Sequence, residues 1–307
     1  MRTLSIHRIA VAAIVVAASA ACASPTGGSP SPAVAASPSA AADTTFVADV
    51  DIDGGRTLHV VCLGPTDTGR PTVIFENGLG AEFGQWGEVM GALQETDRGC
   101  SYDRAGVQLS PPASGPRTTA DQVEDLRALL AAAEIEGPYV LVGHSSGAWN
   151  TLLHAAEHPD DIVGAVLVDP RPAKASERFL AELPAEAADE PDVLHQYRTG
   201  YTEWESDPTG NPESLHLADS AAQVAAITTL GDMPLIVLAA DGAAGWEGDD
   251  LEPELAGAFK DILSELQTEL AGLSTSGRLE KVSDTGHDMP FDRPDAILDA
   301  IGELLGG

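Results

Sequence analysis

A serine between two glycines carries the strongest chemical signal in this sequence. The motif Gly-x-Ser-x-Gly at 143–147 places Ser145 directly after the apolar strand pattern at 139–142 and before a helical pattern. So sharp a strand-to-helix turn needs small flanking residues, which the two glycines supply. The turn would lift the hydroxyl above the sheet edge and leave the Ser146 amide free at a helix N-terminus, where it can stabilise an oxyanion.

A serine hydroxyl is a weak nucleophile at neutral pH and needs a base whose pKa lies near 7, which indicates histidine. His287 lies in the segment 283–287 (Ser-Asp-Thr-Gly-His), between the last predicted strand and the last predicted helix. A loop there can overhang Ser145, and we therefore predict His287 as the base. The other seven histidines lie in segments that fit this role less well: His7, His59, His144, His154, His158, His195 and His216.

Short apolar runs alternate with longer helical patterns from residue 44 onward, which predicts an α/β fold. The predicted strands lie at 45–51, 57–63, 72–76, 100–102, 139–142, 163–168, 235–239 and 278–282. The predicted helices lie at 119–135, 146–157, 251–273 and 294–305, the first opening with a capping box at Thr119 and Gln122. The acidic, proline-containing segment 171–232 breaks the alternation and is predicted to be an insertion over the sheet.

Composition excludes several classes of protein. The 307 residues include 16 Lys and Arg against 48 Asp and Glu, for a formal charge of -32, which disfavours nucleic acid as a partner. Three cysteines and the lack of a His-Glu-x-x-His run disfavour a zinc enzyme. Gly78-x-Gly80 is followed by Phe83 where a dinucleotide fingerprint has its third glycine, and no Gly-Lys-Ser/Thr phosphate loop is present. We expect no cofactor and no metal.

The N-terminus has the layout of an export signal. Residues 1–22 combine a basic start, an apolar run too short to span a bilayer and small residues before Cys22. This ending resembles the bacterial lipoprotein signal, in which the cysteine is lipidated, although ordinary cleavage after Ala20 or Ala23 remains open. Residues 23–43, rich in Ala, Ser and Pro, are predicted to be a flexible linker. We expect a lipoprotein on the outer face of the cell membrane, held only through Cys22, or a secreted protein.

Residues 44–307 resemble the α/β-hydrolase fold. The segment 77–80 (Asn-Gly-Leu-Gly) resembles that family's oxyanion loop, with Leu79 supplying the second amide, although the family more often has His at position 77. The segment 101–106 (Ser-Tyr-Asp-Arg-Ala-Gly) resembles the family's turn after the fourth strand. The resemblance implies a mostly parallel eight-stranded sheet flanked by helices, with a helical lid after strand six at about 171–232.

The resemblance also indicates where to look for the acid that would orient His287. Family members usually place it after the seventh strand, but the expected position falls on Ala243. Asp169 ends the sixth strand, an alternative acid position in some members, and we prefer it. Asp241, two residues early after the seventh strand, is the alternative.

Asp249 and Asp250 also remain candidates for the acid. In the family's usual strand order the second strand runs antiparallel beside the fourth, which implies a disulfide between Cys62 and Cys100.

These residues predict a serine hydrolase, expected to be monomeric, that cleaves carboxylic esters through an acyl-enzyme intermediate. Ser145, His287 and Asp169 would form the triad, and the Leu79 and Ser146 amides the oxyanion hole. One alternative is an aminopeptidase-like amidase whose acidic lid captures a cationic amine. Another is a surface binding protein that retains the fold without turnover.

Overall fold

The computed structural model describes residues 45–241 and 250–306, which form an eight-stranded sheet in the order β1-β2-β4-β3-β5-β6-β7-β8. The first two strands and the β2-β4 pair are antiparallel, and the remaining pairs are parallel. The predicted export signal (1–22) and linker (23–43) lie outside the described residues. The strands are β1 Thr45–Ile52, β2 Arg56–Leu63, β3 Thr72–Glu76, β4 Gly99–Tyr102, β5 Tyr139–His144, β6 Ile162–Val168, β7 Leu235–Ala240 and β8 Gly277–Val282. The predicted α/β-hydrolase fold class is confirmed.

Hydrophobic patterning explains which strands are central. Every residue of β3 and β5 is buried, and β6 and β7 are buried at all but one position each. Such continuous apolar strands are typical of a parallel sheet covered by helices on both faces. The edge strand β1 instead alternates between exposed and partly buried residues, because only one of its faces packs against the core.

Nine α-helices lie among the described residues. They are α1 Gly87–Leu93, α2 Thr119–Ala132, α3 Gly147–Glu157, α4 Ala175–Glu182, α5 Asp192–Thr199, α6 Leu217–Ala225, α7 Pro253–Ala271, α8 Met289–Asp292 and α9 Pro294–Leu304. The predicted capping box was one residue late, since Thr118 caps α2 and exchanges hydrogen bonds with Asp121. None of the helices in this part of the chain is long and apolar enough to span a membrane.

The helices cover the sheet in two layers. Apolar residues of α2, α3 and α6 pack on one face, around Leu126, Trp149 and Leu217. Residues of α1 and α9 pack on the other, around Met90 and Ile301. The sheet is thereby buried from both sides, and its carboxyl edge is the end at which loops can present polar groups.

The chain between β6 and β7 folds into α4, α5, a π-helical turn at Gly200–Trp204 and α6. Its aromatic residues pack on α7, where the rings of Phe179 and Phe259 stack at 4.3 Å and Phe179 also contacts Tyr201. This segment is therefore held to the domain by its own small apolar cluster. That it acts as a lid stays a prediction.

A disulfide joins Cys62 of β2 to Cys100 of β4, which are directly paired in the antiparallel ladder. Both cysteines are buried within the apolar layer that carries α2 and α3. The bridge closes a loop with a sequence separation of 38.

Replacing both cysteines by alanine should destabilise the oxidised protein by about 4 kcal/mol, because the bridge restricts the unfolded chain over a loop of this length. Urea unfolding monitored by circular dichroism would measure the loss. Wild type treated with a reducing agent under denaturing conditions, then refolded and alkylated, should show a similar deficit. Equal stability of oxidised wild type and the double variant would contradict a stabilising bridge.

Candidate active site

Ser145 occupies a turn that only its neighbours make possible. Its φ of 53° lies in the left-handed region, which costs free energy for a residue with a side chain. A Cβ on Gly143 would overlap the backbone of Gly147, and a Cβ on Gly147 would overlap the carbonyl oxygens of Glu76 and Asn77. The two glycines are thus needed because backbone passes directly against them, as the motif predicts.

The structure brings Ser145, His287 and Asp169 into one hydrogen-bonded line. His287 Nε2 lies 3.0 Å from Ser145 Oγ, and His287 Nδ1 lies 2.7 Å from Asp169 Oδ2. With a carboxylate on one side, the ring proton resides on Nδ1, and Nε2 is left to accept the serine proton. This arrangement suits a serine activated by a neighbouring base.

Asp169 is held firmly at the end of β6. Its side chain is 2% exposed, and its other oxygen, Oδ1, accepts hydrogen bonds from the Ala240 amide at 3.2 Å and from Gln267 Nε2 at 3.3 Å. Its own amide donates to the Leu238 carbonyl at 2.7 Å. Gln267 of α7, which was not among the sequence candidates, therefore helps to orient the carboxylate.

The competing carboxylates lie elsewhere. Asp241 follows β7, is exposed, and donates its amide to the Val282 carbonyl. Asp250 accepts a hydrogen bond from the Tyr197 hydroxyl, and Asp249 lies outside the described residues. Among the described residues, Asp169 is the candidate carboxylate that contacts His287 Nδ1, which favours it over Asp241 and Asp250.

The segment 77–80 lies against the serine. A Cβ built on Gly78 would come within 3.6 Å of Ser145 Cβ. The amides of Leu79 and Ser146 donate to no acceptor within the described residues, whereas those of Gly78 and Gly80 do. Both amides that the sequence predicts for an oxyanion hole are thus available to a ligand.

A buried relay joins this segment to the loop that carries His287. The Gly78 amide donates to Gln85 Oε1 at 2.9 Å, Gln85 Nε2 donates to His144 Nδ1 at 2.9 Å, and His144 Nε2 donates to the His287 carbonyl at 2.8 Å. This chain of donors and acceptors requires a neutral His144. Burial, assisted by the proximity of His287, lowers the pKa of His144 to about 4. Gln85 lies outside every predicted motif, so its role could not be predicted from the sequence.

Two further polar residues were missed. Arg104 lies inside the predicted turn at 101–106, but no role for its guanidinium was predicted. Glu213 lies in the predicted insertion, where no sequence pattern distinguishes it from the other acidic residues. Both are buried, and they pair with each other beneath the segment 77–80. In the described parts of the chain, no group of His, Cys, Asp or Glu side chains has an arrangement that could hold a metal ion.

Burial also lowers the pKa of His154, in α3, to about 4. The unfolded chain therefore binds protons at His144 and His154 at a higher pH than the folded protein does. The free energy of unfolding should consequently fall as the pH falls from about 6.5 to about 4. Between about pH 7.5 and pH 5, each of these two histidines should lower the free energy of unfolding by about 2 kcal/mol. In urea unfolding, His144→Asn should lose about 2 kcal/mol less than wild type over this interval. The matched variant His154→Phe, away from the site, should do the same. Unchanged pH dependence in both variants would show that the histidines are not held neutral.

Comparison with known proteins agrees with the fold. Among curated proteins, the uncharacterized protein YqjL of Bacillus subtilis is 29% identical over 234 residues, covering 76% of this chain and 83% of that protein. A probable hydrolytic enzyme from Pseudomonas aeruginosa superposes with a TM-score of 0.60 and 18% identity, covering 86% of this chain and 94% of that one. The carboxylesterase CesB of Bacillus subtilis superposes with a TM-score of 0.55 and 15% identity, covering 86% and 91%.

At sequence identities of 15% and 18%, the two solved structures show that they share this chain's fold, and nothing about its activity. The sequence model described as "Alpha/beta hydrolase family" matches residues 73–300, which include the serine motif and the histidine described above. The chain belongs to the alpha/beta hydrolase family.

Proposed function

We propose that the protein is a serine hydrolase that cleaves carboxylic esters through an acyl-enzyme intermediate. The observation that carries the proposal is the line of two hydrogen bonds, 3.0 Å from Ser145 Oγ to His287 Nε2 and 2.7 Å from His287 Nδ1 to Asp169 Oδ2. Family membership supports hydrolysis as the class of reaction. In such a reaction Ser145 is the nucleophile, His287 is its base, and the buried Asp169 orients the imidazole.

The first half of the reaction transfers the acyl group to the enzyme. Ser145 Oγ attacks the ester carbonyl while His287 Nε2 takes the hydroxyl proton, and the carbonyl electron pair moves to its oxygen. The Leu79 and Ser146 amides would donate to that oxyanion, each donor being worth about 2.7 to 4 kcal/mol of barrier. The intermediate collapses, the bond to the alkoxide breaks, and His287 returns the proton to the departing alcohol.

The second half releases the acid. Water attacks the acyl-enzyme, His287 takes a proton from it, and the new oxyanion occupies the same two amides. Collapse breaks the bond to Ser145 Oγ, which recovers its proton from His287, and a carboxylic acid leaves. Asp169 keeps its charge throughout and stabilises the imidazolium that forms in each half.

An ester is preferred over an amide because the sequence contains no recognisable amide-specific motif, and CesB, named a carboxylesterase, shares the fold. The amidase alternative depends on free acidic groups between β6 and β7. Two of these acids already have cationic partners, since Glu190 pairs with Arg198 and Glu205 with Arg171. That pairing weakens the case for capture of a cationic amine.

We also propose that the enzyme acts outside the cytoplasm, either anchored through Cys22 or secreted, as a monomer on small-molecule esters. The disulfide between Cys62 and Cys100 supports this location, because disulfides persist mainly in oxidising compartments.

A fluorophosphonate probe should label the wild-type protein at one serine, and Ser145→Ala should abolish labelling. Hydrolysis of p-nitrophenyl acetate should fall at least about 10⁴-fold in the same variant, since the nucleophile is lost. Ser206→Ala, which removes an exposed hydroxyl between β6 and β7, serves as the matched control and should retain both signals. An unlabelled wild type would favour the non-catalytic binding protein.

Asp169→Asn should lower kcat for p-nitrophenyl acetate by about 10⁴-fold, because the amide would hold His287 in the wrong tautomer. Asp241→Asn is the matched change at the competing position and should leave kcat within about threefold of wild type. Loss of activity in the Asp241 variant alone would move the acid to the end of β7 and overturn the assignment.

A further inference from the structure

The segment 77–80 rests on the guanidinium of Arg104, which is buried in the turn after β4. Arg104 Nη1 donates to the Asn77 carbonyl at 2.8 Å, and Nη2 donates to the Gly78 carbonyl at 2.8 Å. One planar group therefore fixes two consecutive carbonyls from the same side.

The second of these contacts determines where the Leu79 amide points. In a trans peptide the carbonyl of one residue and the N–H of the next lie in one plane and point in opposite directions. Because Arg104 holds the Gly78 carbonyl inward, the N–H of Leu79 must point away from Arg104. A Cβ built on Gly78 would come within 3.6 Å of Ser145 Cβ, so this peptide lies beside the nucleophile.

The neighbouring amides are fixed as well. The Gly78 amide donates to Gln85 Oε1 at 2.9 Å, and the Gly80 amide donates to Glu213 Oε1 at 2.6 Å. The amides on either side of Leu79 are thus occupied by buried side chains, which limits rotation of the peptide that carries the Leu79 N–H.

Glu213 completes the arrangement by pairing with Arg104 through both oxygens. Nε donates to Oε2 and Nη2 donates to Oε1, both at 2.8 Å, and Gln122 Nε2 also donates to Oε2 at 2.6 Å. Burial by itself would raise the pKa of Glu213, but Arg104 and these hydrogen bonds lower it below the ordinary value. The carboxylate is therefore ionised and balances the buried charge of Arg104, whose Nη1 also donates to Glu76 Oε2 at 3.1 Å.

The segment that supplies Glu213, residues 211–216, comes from the chain between β6 and β7 and is pinned to the loop before α2. The Arg117 amide donates to the Ser214 carbonyl and the His216 amide donates to the Arg117 carbonyl, both at 2.8 Å. Glu213 is consequently a fixed point and not the tip of a free loop.

We propose that Arg104 and Glu213 are positioning residues for the oxyanion hole: they aim the Leu79 amide at the developing charge, and they couple the segment 211–216 to the catalytic step. The inference rests on the proposed function. Both side chains are buried and bind protein groups, so the effect should appear in transition-state stabilisation and not in substrate binding.

The variant Glu213→Gln tests this coupling. It should lower kcat for p-nitrophenyl acetate by about 10- to 100-fold with KM within about twofold, which is less than the complete loss of a donor. The affinity for an alkyl trifluoromethyl ketone, whose carbonyl carbon bonds to Ser145 Oγ and whose oxygen becomes an oxyanion, should fall by a similar factor.

A matched control separates positioning from general loss of stability. Asp97 is another buried carboxylate that pairs with an arginine, Arg70, but it precedes β4 and contacts neither the segment 77–80 nor the segment 211–216. Asp97→Asn should lower the melting temperature comparably and leave kcat and ketone affinity within about threefold. If Glu213→Gln does not fold, Arg104→Lys replaces it, because lysine keeps the charge but a single ammonium has no fork to hold both carbonyls and Glu213 together.

The outcomes are distinguishable. Wild type that neither hydrolyses the ester nor reacts with a fluorophosphonate overturns the proposed function and this inference with it. Active wild type, combined with unchanged kcat and ketone affinity in the Glu213 or Arg104 variant, overturns the inference alone. Equal loss of kcat in Glu213→Gln and Asp97→Asn would also overturn it, since the effect would follow stability.

Discussion

The parallel register of β5 and β6 is the constraint on which the site depends. The last paired residues of these strands are His144 and Val168, and the Ser145 amide continues the ladder by donating to the Val168 carbonyl at 3.2 Å. Ser145 and Asp169 therefore leave the sheet at the same level, each one residue past the end of its strand. Both do so with positive φ, 53° and 37°. Neighbouring strands lie about 4.8 Å apart, so one imidazole from above can bridge the two side chains.

The sequence was most informative where local rules apply. Hydrophobic patterns located all eight strands to within two residues, since these patterns are continuous in the buried parallel strands and alternate in the edge strand β1. The glycines around Ser145 marked a turn that tolerates no side chains. The capping box of α2 was misplaced by one residue, since Thr118 and Thr119 both precede a polar residue at the right spacing. Disulfide pairing followed from family strand order and not from local pattern.

Contacts between distant segments could not be predicted in this way. Gln85, Glu213 and Gln267 reach their partners across sequence separations of 59, 109 and 98 residues, and none lies in a motif. The sequence left Asp169 and Asp241 as competing acids, and the contact of Asp169 with His287 Nδ1 separates them. Gly106, the glycine of the predicted turn at 101–106, is also required by a distant segment, because a Cβ on it would overlap the Pro212 carbonyl.

The proposed reaction requires Ser145 to carry the acyl group during turnover. Rapid acid quenching during hydrolysis of p-nitrophenyl acetate, followed by peptide mass spectrometry, would detect this acyl-enzyme. The peptide containing Ser145 should gain the mass of one acetyl group. Acetyl groups found only on other residues, or none on any peptide while the ester is being hydrolysed, would exclude Ser145 as the nucleophile.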